Sequence, residues 1–479
     1  MLRLHGIKRK SWVQLQQTAH THQDHVIVNE NVENWLSGAK GDVQVVVMSD
    51  DYSMEDAQTF TVSSIEGNRI NFKNGRLNKA RNIGRQSYDS MTFEKEVEVG
   101  LLTQNITIQS EVQNVDVAKS YAQNTASGVT TTNYTINSQM GGHIMAHMGG
   151  KLYLSNIEIS NMGQEGQLGR YPVHWHELGD ASGQYIENSS IHDSFNRCIT
   201  VHSTNNVRVS GNFCHDIIGH AYFLEDGDET GNRFDRNLGA VIRRPNPKNT
   251  VAQDKAQDRN TVYSVDGDLA KRGNEAMGPT TYWISNGKNT FTNNVSAGSD
   301  GSGYWYVSHS PQDFIPRGNF DRNASHSEKG FSLVVTRDDM GIVNPQTPSI
   351  FTNYSFHHTN ARGIWSHAHD MEFIGVRAAN NRRAIFFSFD SRLQNALIIG
   401  RNNFEPDTDP NPHAAYTFYD GPAHLYNVAI TGFTNKDVLF PTQGAATRFM
   451  NHKLQLMDID DSIPLDAYFD ETLNLIRFC

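Results

Sequence analysis

Pro172-Val173-His174-Trp175-His176, Cys198-Ile199-Thr200-Val201-His202 and Ala221-Tyr222-Phe223-Leu224-Glu225 begin 26 and 23 residues apart in a chain of 479 residues. Laid over one another, their second and fourth positions are Val173/Trp175, Ile199/Val201 and Tyr222/Leu224, all apolar. A strand alternates faces with a period of two. These six side chains therefore point into a core, while His174, His176, Thr200, His202, Phe223 and Glu225 point out. A slip of one residue would bury the histidines and Glu225, which pins the register. A second column repeats the 23-residue step, with Ile191-His192-Asp193 over Cys214-His215-Asp216. Two columns sharing one spacing predict stacked coils. Strand-built coils predict an all-β fold, a right-handed parallel β-helix.

Outside these segments the same texture continues. Helical periodicity is nearly absent, and short alternating runs are separated by Gly, Asn, Asp and Ser. A loose phrase recurs, as in Asn156-Ile157-Glu158-Ile159-Ser160-Asn161 and Asn289-Thr290-Phe291-Thr292-Asn293-Asn294. Asn suits coil corners because it tolerates left-handed backbone and bonds its own turn. Residues 1–95 read differently, as ordinary strands with Trp12 and Trp35, and are expected to form a small β-domain capping one end of the solenoid. Residues 96–479 are expected to form the β-helix, with a C-terminal cap from Leu454 to Cys479.

Composition narrows the function. Charged residues make up 19% of the chain and the formal net charge is −11, which speaks against a broad basic surface for nucleic acid. No run of 18 apolar residues offers a membrane span. No signal peptide is visible at Met1. Three cysteines make no disulfide framework, so Cys198 and Cys214 read as small buried thiols. A monomer is expected.

Several stretches resemble one family. They are Val97 to Thr103, Gly141-Gly142-His143, Arg170 to Asp180, Ser190 to His202, Gly219 to Gly227, Tyr282 to Asn286 and Ala297-Gly298-Ser299. In that order they are similar to the group of the cell-migration-inducing hyaluronidase, transmembrane protein 2 and fibrocystin. Residues 1–95 resemble the second half of that group's G8 domain, which implies a truncated domain here. The resemblance implies β-helix repeats, an extracellular or cell-surface setting and an association with hyaluronan depolymerisation. The group also includes receptors and structural proteins, and fold alone does not settle function.

The outward column His176, His202, Glu225 carries the chemistry. Successive coils lie about 4.8 Å apart, so side chains on three coils can converge. His174 shares the face, and His147 would stack beneath His176 if the 29-residue step from one to the other is one longer coil. Imidazoles with a carboxylate suit a divalent ion such as Zn, Mn, Fe or Ni better than Ca. A metal-free polar ladder fits the same pattern. The stretch from Asp226 to Gly231 begins like a calcium loop, but Asn237 stands where an EF-hand needs Glu.

Glycoside hydrolysis needs two carboxylates, for which Glu225, Asp226 and Asp180 are the candidates, with His176 and His202 beside them. Asp193 and Asp216 read as corner residues. Eliminative cleavage of a uronate needs a base, His176 or His202, and a cation, Arg170, Arg197 or a metal. Phe223 and Trp283 align on the outer face, where rings could stack on sugars or simply pack. Trp365, His367, His369 and Asp390 form a weaker strip that reads as a solvated face. These features lead to a polysaccharide-degrading enzyme acting on hyaluronan or a similar uronate polymer. A lyase and a non-catalytic glycan-binding surface protein are the alternatives.

Overall fold

The computed structural model describes residues 1–479 except 126–127, 166, 245–277, 338–340, 406–413, 419–422, 434–448, 452–453, 457–466, 471–474 and 479. Much of the expected C-terminal cap lies outside the described residues. The rest is built almost wholly of strands, wound as a parallel β-helix. Each coil lays down three strands. Val173–Asp180, Tyr185–Glu187 and Ser190–Ser194 make one coil. Ile199–Asn205, Arg208–Ser210 and Phe213–Ile218 make the next. The first strands of successive coils form a ten-stranded parallel sheet, here face one. The second and third strands, faces two and three, join in one 22-stranded sheet bent around a corner.

The register is the one expected from alternation. Val173, Trp175 and His176 pair with Ile199, Val201 and His202, and Ile199 and Val201 pair with Tyr222 and Leu224. Ile191 and His192 pair with Cys214 and His215 on face three. The six inward side chains are fully buried in one continuous core. Burial of each such side chain contributes about 1.5–3 kcal/mol. The Trp175 indole stays satisfied inside by donating to Gln184 Oε1 at 3.0 Å.

Asparagine holds the corners in two ways. Asn156, Asn161, Asn188, Asn206, Asn293 and Asn353 adopt φ between 48° and 65°, a left-handed turn that Asn accepts at low cost. Between faces two and three, Asn212, Asn237, Asn294 and Asn323 stack as a ladder. The side-chain oxygen of each upper residue accepts from both the backbone N–H and the Nδ2 of the one below, at 2.9–3.1 Å. Buried backbone donors at each corner are thereby paired without a sheet.

The N-terminal β-domain is a six-stranded sheet that includes Trp12–Gln14, Gln44–Val47 and Glu98–Leu101. Its apolar side packs on the outside of face three, where Phe213, Leu238 and Val295 join Val45, Val99 and Leu101 in a second core. The approach is close enough that a Cβ on Gly100 would lie 2.3 Å from the Phe213 ring. Leu2–His5 precedes this domain and pairs in parallel with Leu152–Ser155, so it belongs to face two of the solenoid. A long antiparallel hairpin, Gln113–Thr125 with Gly128–Met140, stands just before the coil that carries His147.

Candidate active site on the outer side of face one

Four coils supply the site. Ala146 pairs with Trp175, which carries His147 to the position beneath His176, and His202 follows above it. Leu224 ends its strand opposite Val201, so Glu225 comes next in the same column. A bulge follows His176, where Glu177 (φ 51°) and Gly179 (φ 63°) turn the strand away before it rejoins the ladder. The histidine column therefore runs beside an irregularity in the ladder.

The imidazoles converge. Ring centroids lie 5.0 Å apart for His174 and His176, 4.7 Å for His176 and His202, and 5.9 Å for His174 and His202. One ring nitrogen from each of the three can be chosen so that all lie within 4.8 Å of one another. His174 is fully buried, and its Nδ1 meets the Gly169 carbonyl at 3.1 Å. A carbonyl only accepts, so Nδ1 carries the hydrogen and Nε2 presents a lone pair to the cluster. Burial holds the His174 imidazole neutral, lowering its pKa to about 3.

Glu225 faces this lone pair. Its Oε2 lies 3.8 Å from His174 Nε2 and 3.7 Å from His202 Nδ1, and it has no hydrogen-bond partner. Its Oε1 accepts from the Tyr171 hydroxyl at 3.1 Å, and Tyr171 in turn accepts from Arg197 Nη1 at 2.6 Å. Burial, the largest cause, raises the Tyr171 pKa above its usual value, so the phenol remains a donor. On the other side His202 Nε2 meets Asp226 Oδ2 at 2.7 Å. One imidazole thus stands between a buried carboxylate and a half-exposed one. The turn that carries Asp226 is shaped by buried Glu229, which accepts from the backbone N–H groups of Ser203, Asp226 and Gly227 at 2.8–3.1 Å.

The remaining sequence candidates are distributed around this centre. His147 reaches it, with Nδ1 3.2 Å from His176 Nδ1, and a second possible ligand group joins His147, His176 and Glu177. Arg197 is buried and engaged, with its guanidinium carbon 3.5 Å from the centre of the Phe223 ring. Arg170 is exposed on the loop before the first site strand. Asp180 turns to Ser182 and Asn206, accepting at 2.6–3.0 Å, and makes no bond to the cluster among the described residues. Phe223 and Trp283 do align in adjacent coils. Both are buried, in a packed lane with Trp305 and Phe331, and present no face to a sugar. Asp193 and Asp216 are corner residues that pair with His192 and Arg243. His369 lies 3.5 Å from Asp390, well along the solenoid.

Two features escaped the sequence. Tyr171 stands one residue before the aligned segment, in a loop that strand periodicity does not describe. Cys198 and Cys214 are not free thiols but a disulfide, with Cα atoms 6.2 Å apart and a sequence separation of 16. They enter the core from faces one and three of one coil, where the corner brings them into bonding range.

A family model described as the CEMIP beta-helix matches residues 139–333, the stretch that holds the whole site. The cell surface hyaluronidase of Danio rerio is 31% identical over 342 residues, covering 66% of this chain and 23% of its own length. The human cell migration-inducing and hyaluronan-binding protein is 25% identical over 449 residues, covering 80% of this chain and 32% of its own. Mouse fibrocystin-L is 26% identical over 421 residues, covering 80% of this chain and 9% of its own. The chain therefore spans less than a third of the length of the Danio rerio hyaluronidase and of the human hyaluronan-binding protein. The chain is homologous to the cell-surface hyaluronidase and fibrocystin group, and its residues 139–333 match the CEMIP β-helix model.

Proposed function

We propose that the chain is the catalytic β-helix of a polysaccharide-degrading enzyme, acting on hyaluronan or a similar uronate-containing polymer by hydrolysis. One observation carries this: His202 links two carboxylates, Glu225 at 3.7 Å and Asp226 at 2.7 Å, on an outer face of the solenoid. Glycosidic cleavage by hydrolysis uses two carboxylates in different environments. Glu225 is buried and held by Tyr171, whereas Asp226 is 47% exposed. Asp226 is the group that can meet substrate, and it exchanges its proton with the leaving oxygen or with water. His202 holds Asp226 in place and can share that proton.

The donor set fits a divalent ion. His174 Nε2 and Glu225 Oε2 are both buried and unpartnered, and they point into the same space. His174, His176, His202 and Glu225 would hold the ion, with His147 behind His176. The bond from His174 Nδ1 to a carbonyl and the bond from His202 to Asp226 are the outer contacts that orient metal-binding imidazoles. Such an ion would polarise a substrate oxygen or lower the pKa of water.

An eliminative route needs a cation free for the uronate carboxylate. Arg197 is committed to Tyr171 and the Phe223 ring, which leaves that role to the exposed Arg170 or to a bound metal. The Cys198–Cys214 disulfide supports an oxidising compartment, outside the cell or at its surface. The test is the size distribution of hyaluronan after incubation with purified protein, with product ends examined for the double bond that elimination leaves. Shortened chains with saturated ends are expected. Intact chains, or unsaturated ends, overturn the proposal.

A further inference from the structure

Face two carries a different outer column. Arg3 pairs with Tyr153, Tyr153 with Tyr185, Tyr185 with Arg208, and Arg208 with Arg233. The neighbours Leu154, Ile186, Val209 and Phe234 are core residues, so all five of these side chains point outward. The N-terminal domain covers face three and leaves this column open. Arg3, Arg208 and Arg233 are exposed, and the tyrosines are half-buried. At about 4.8 Å per coil the column runs roughly 19 Å along the solenoid axis.

Two of the arginines are braced. Arg3 lies over the Tyr153 ring at 4.8 Å and Arg208 over the Tyr185 ring at 5.1 Å. The two rings meet edge to face at 5.6 Å, and the Tyr185 hydroxyl is bonded to His5 Nε2 at 2.9 Å. Cation–π contact fixes a guanidinium while leaving its N–H edge to solvent. Arg208 also pairs with Glu187 at 3.3 Å, whereas Arg3 and Arg233 meet no carboxylate among the described residues.

The column adjoins a cleft. Around the corner between faces two and three lies a cavity of about 620 Å³, walled by the N-terminal domain and lined in part by Lys8, Lys10, Trp12, Asn188 and Arg236. Lys10 pairs with Glu30 and Arg236 with Asp235, while Lys8 has no such partner among the described residues. Six cations thus gather on one side of a chain whose net charge is −11.

We infer that face two and this cleft form a second binding site for an acidic polysaccharide, one that bears carboxylates along its length, separate from the histidine cluster. A file of three guanidiniums, two of them braced on tyrosine rings, matches a linear polyanion with spaced charges. Arg takes carboxylates through paired N–H bonds, and tyrosine rings suit the flat sides of sugars. The inference takes its ligand class from the proposed function but does not depend on any chemistry at Glu225. A site of this kind would hold a long polymer on the protein while its ends are exchanged at face one.

The test is binding of the whole chain to immobilised hyaluronan, with dextran and a DNA duplex as probes of neutral polymer and of charge alone. Glu225→Gln, which leaves the polymer uncut under the proposed function, is expected to retain hyaluronan binding that weakens with salt and to ignore dextran. Arg208→Ala with Arg233→Ala is expected to weaken binding roughly tenfold or more, while its melting temperature stays that of wild type. Arg208→Lys with Arg233→Lys should recover only part of the loss, because lysine lacks the fork. Unchanged binding in the alanine pair, or equal binding to DNA, overturns the inference. If arginine-dependent binding persists while no depolymerisation occurs, the catalytic proposal fails and this one stands. If depolymerisation depends on Glu225 while binding ignores both arginines, the reverse holds.

Discussion

His202 Nε2 lies 2.7 Å from Asp226 Oδ2, and the two side chains come from consecutive coils. That contact sets the orientation of the imidazole whose other nitrogen faces Glu225. Asp226→Asn would keep the shape but replace an acceptor by an amide, which cannot take up a proton. Depolymerisation is expected to fall about 10²–10⁴-fold, the usual contribution of a proton-transfer group. Metal content should fall less than in Glu225→Gln, because Asp226 orients His202 and is not itself a proposed ligand. Full activity in Asp226→Asn would remove its role.

Glu225 and His174 should behave differently. Their unpartnered buried atoms are satisfied by an ion in the proposed site. Glu225→Gln and His174→Ala are therefore expected to lose both bound metal and activity. Extended chelation of the wild type should lower its activity, with recovery on adding back one of Zn, Mn, Fe or Ni. Elemental analysis of the three proteins checks this. Metal-free protein that is fully active would leave the cluster as a polar ladder.

Arg197 is expected to matter for folding as much as for activity. It is 1% exposed, bonded to Tyr171 and set 3.6 Å from Glu225 Oε1. In metal-free protein Arg197→Ala would leave a buried carboxylate without its cation, at a cost of about 3–5 kcal/mol. Tyr171→Phe removes a neutral donor and should cost about 1–3 kcal/mol. Denaturant unfolding of the two variants gives the order. A larger loss in Tyr171→Phe than in Arg197→Ala would contradict it.

The strand period made the site legible because a solenoid repeats its geometry. Once Val173/Trp175, Ile199/Val201 and Tyr222/Leu224 face inward, His176, His202 and Glu225 must share an outer column. Even His147, a 29-residue step from His176, falls into place because Ala146 pairs with Trp175. The Asn corners follow from the same repetition. What alternation does not encode is anything in the turns. Tyr171, Asp226 and Glu229 sit in loops whose paths depend on local bonds, so their spacing said nothing about their meeting. The fate of Phe223 and Trp283 was also hidden. An outward position is a direction, and whether other residues then cover it is a property of the assembled fold.

The Cys198–Cys214 bridge closes a short loop across one coil of the site. A loop of this size stabilises by about 3 kcal/mol when closed by a disulfide. Cys198→Ala with Cys214→Ala should lower the melting temperature, and reductant should lower it in wild type but not in the double variant. Thiol titration under denaturing conditions, before and after reduction, gives the oxidation state directly. Three free thiols in protein purified without reductant would refute the bridge.

Glu328 supplies a pH dependence away from the site. Its side chain is fully buried, where Oε1 accepts from Ser296 Oγ at 2.5 Å and Ser325 Oγ at 3.2 Å. Burial, only partly offset by these hydroxyls, raises its pKa from 4.5 to about 7. The folded state therefore holds a proton that the unfolded chain releases near pH 4.5. Its contribution to stability is fully present below that pH and is lost as pH rises through about 7. The loss is on the order of 3 kcal/mol by pH 8. Glu328→Gln, which cannot ionise, should match wild type within a small constant at pH 4 and become the more stable protein by pH 8. Melting temperatures of the two proteins across that range test this, and a difference that does not change with pH would rule out a buried neutral Glu328.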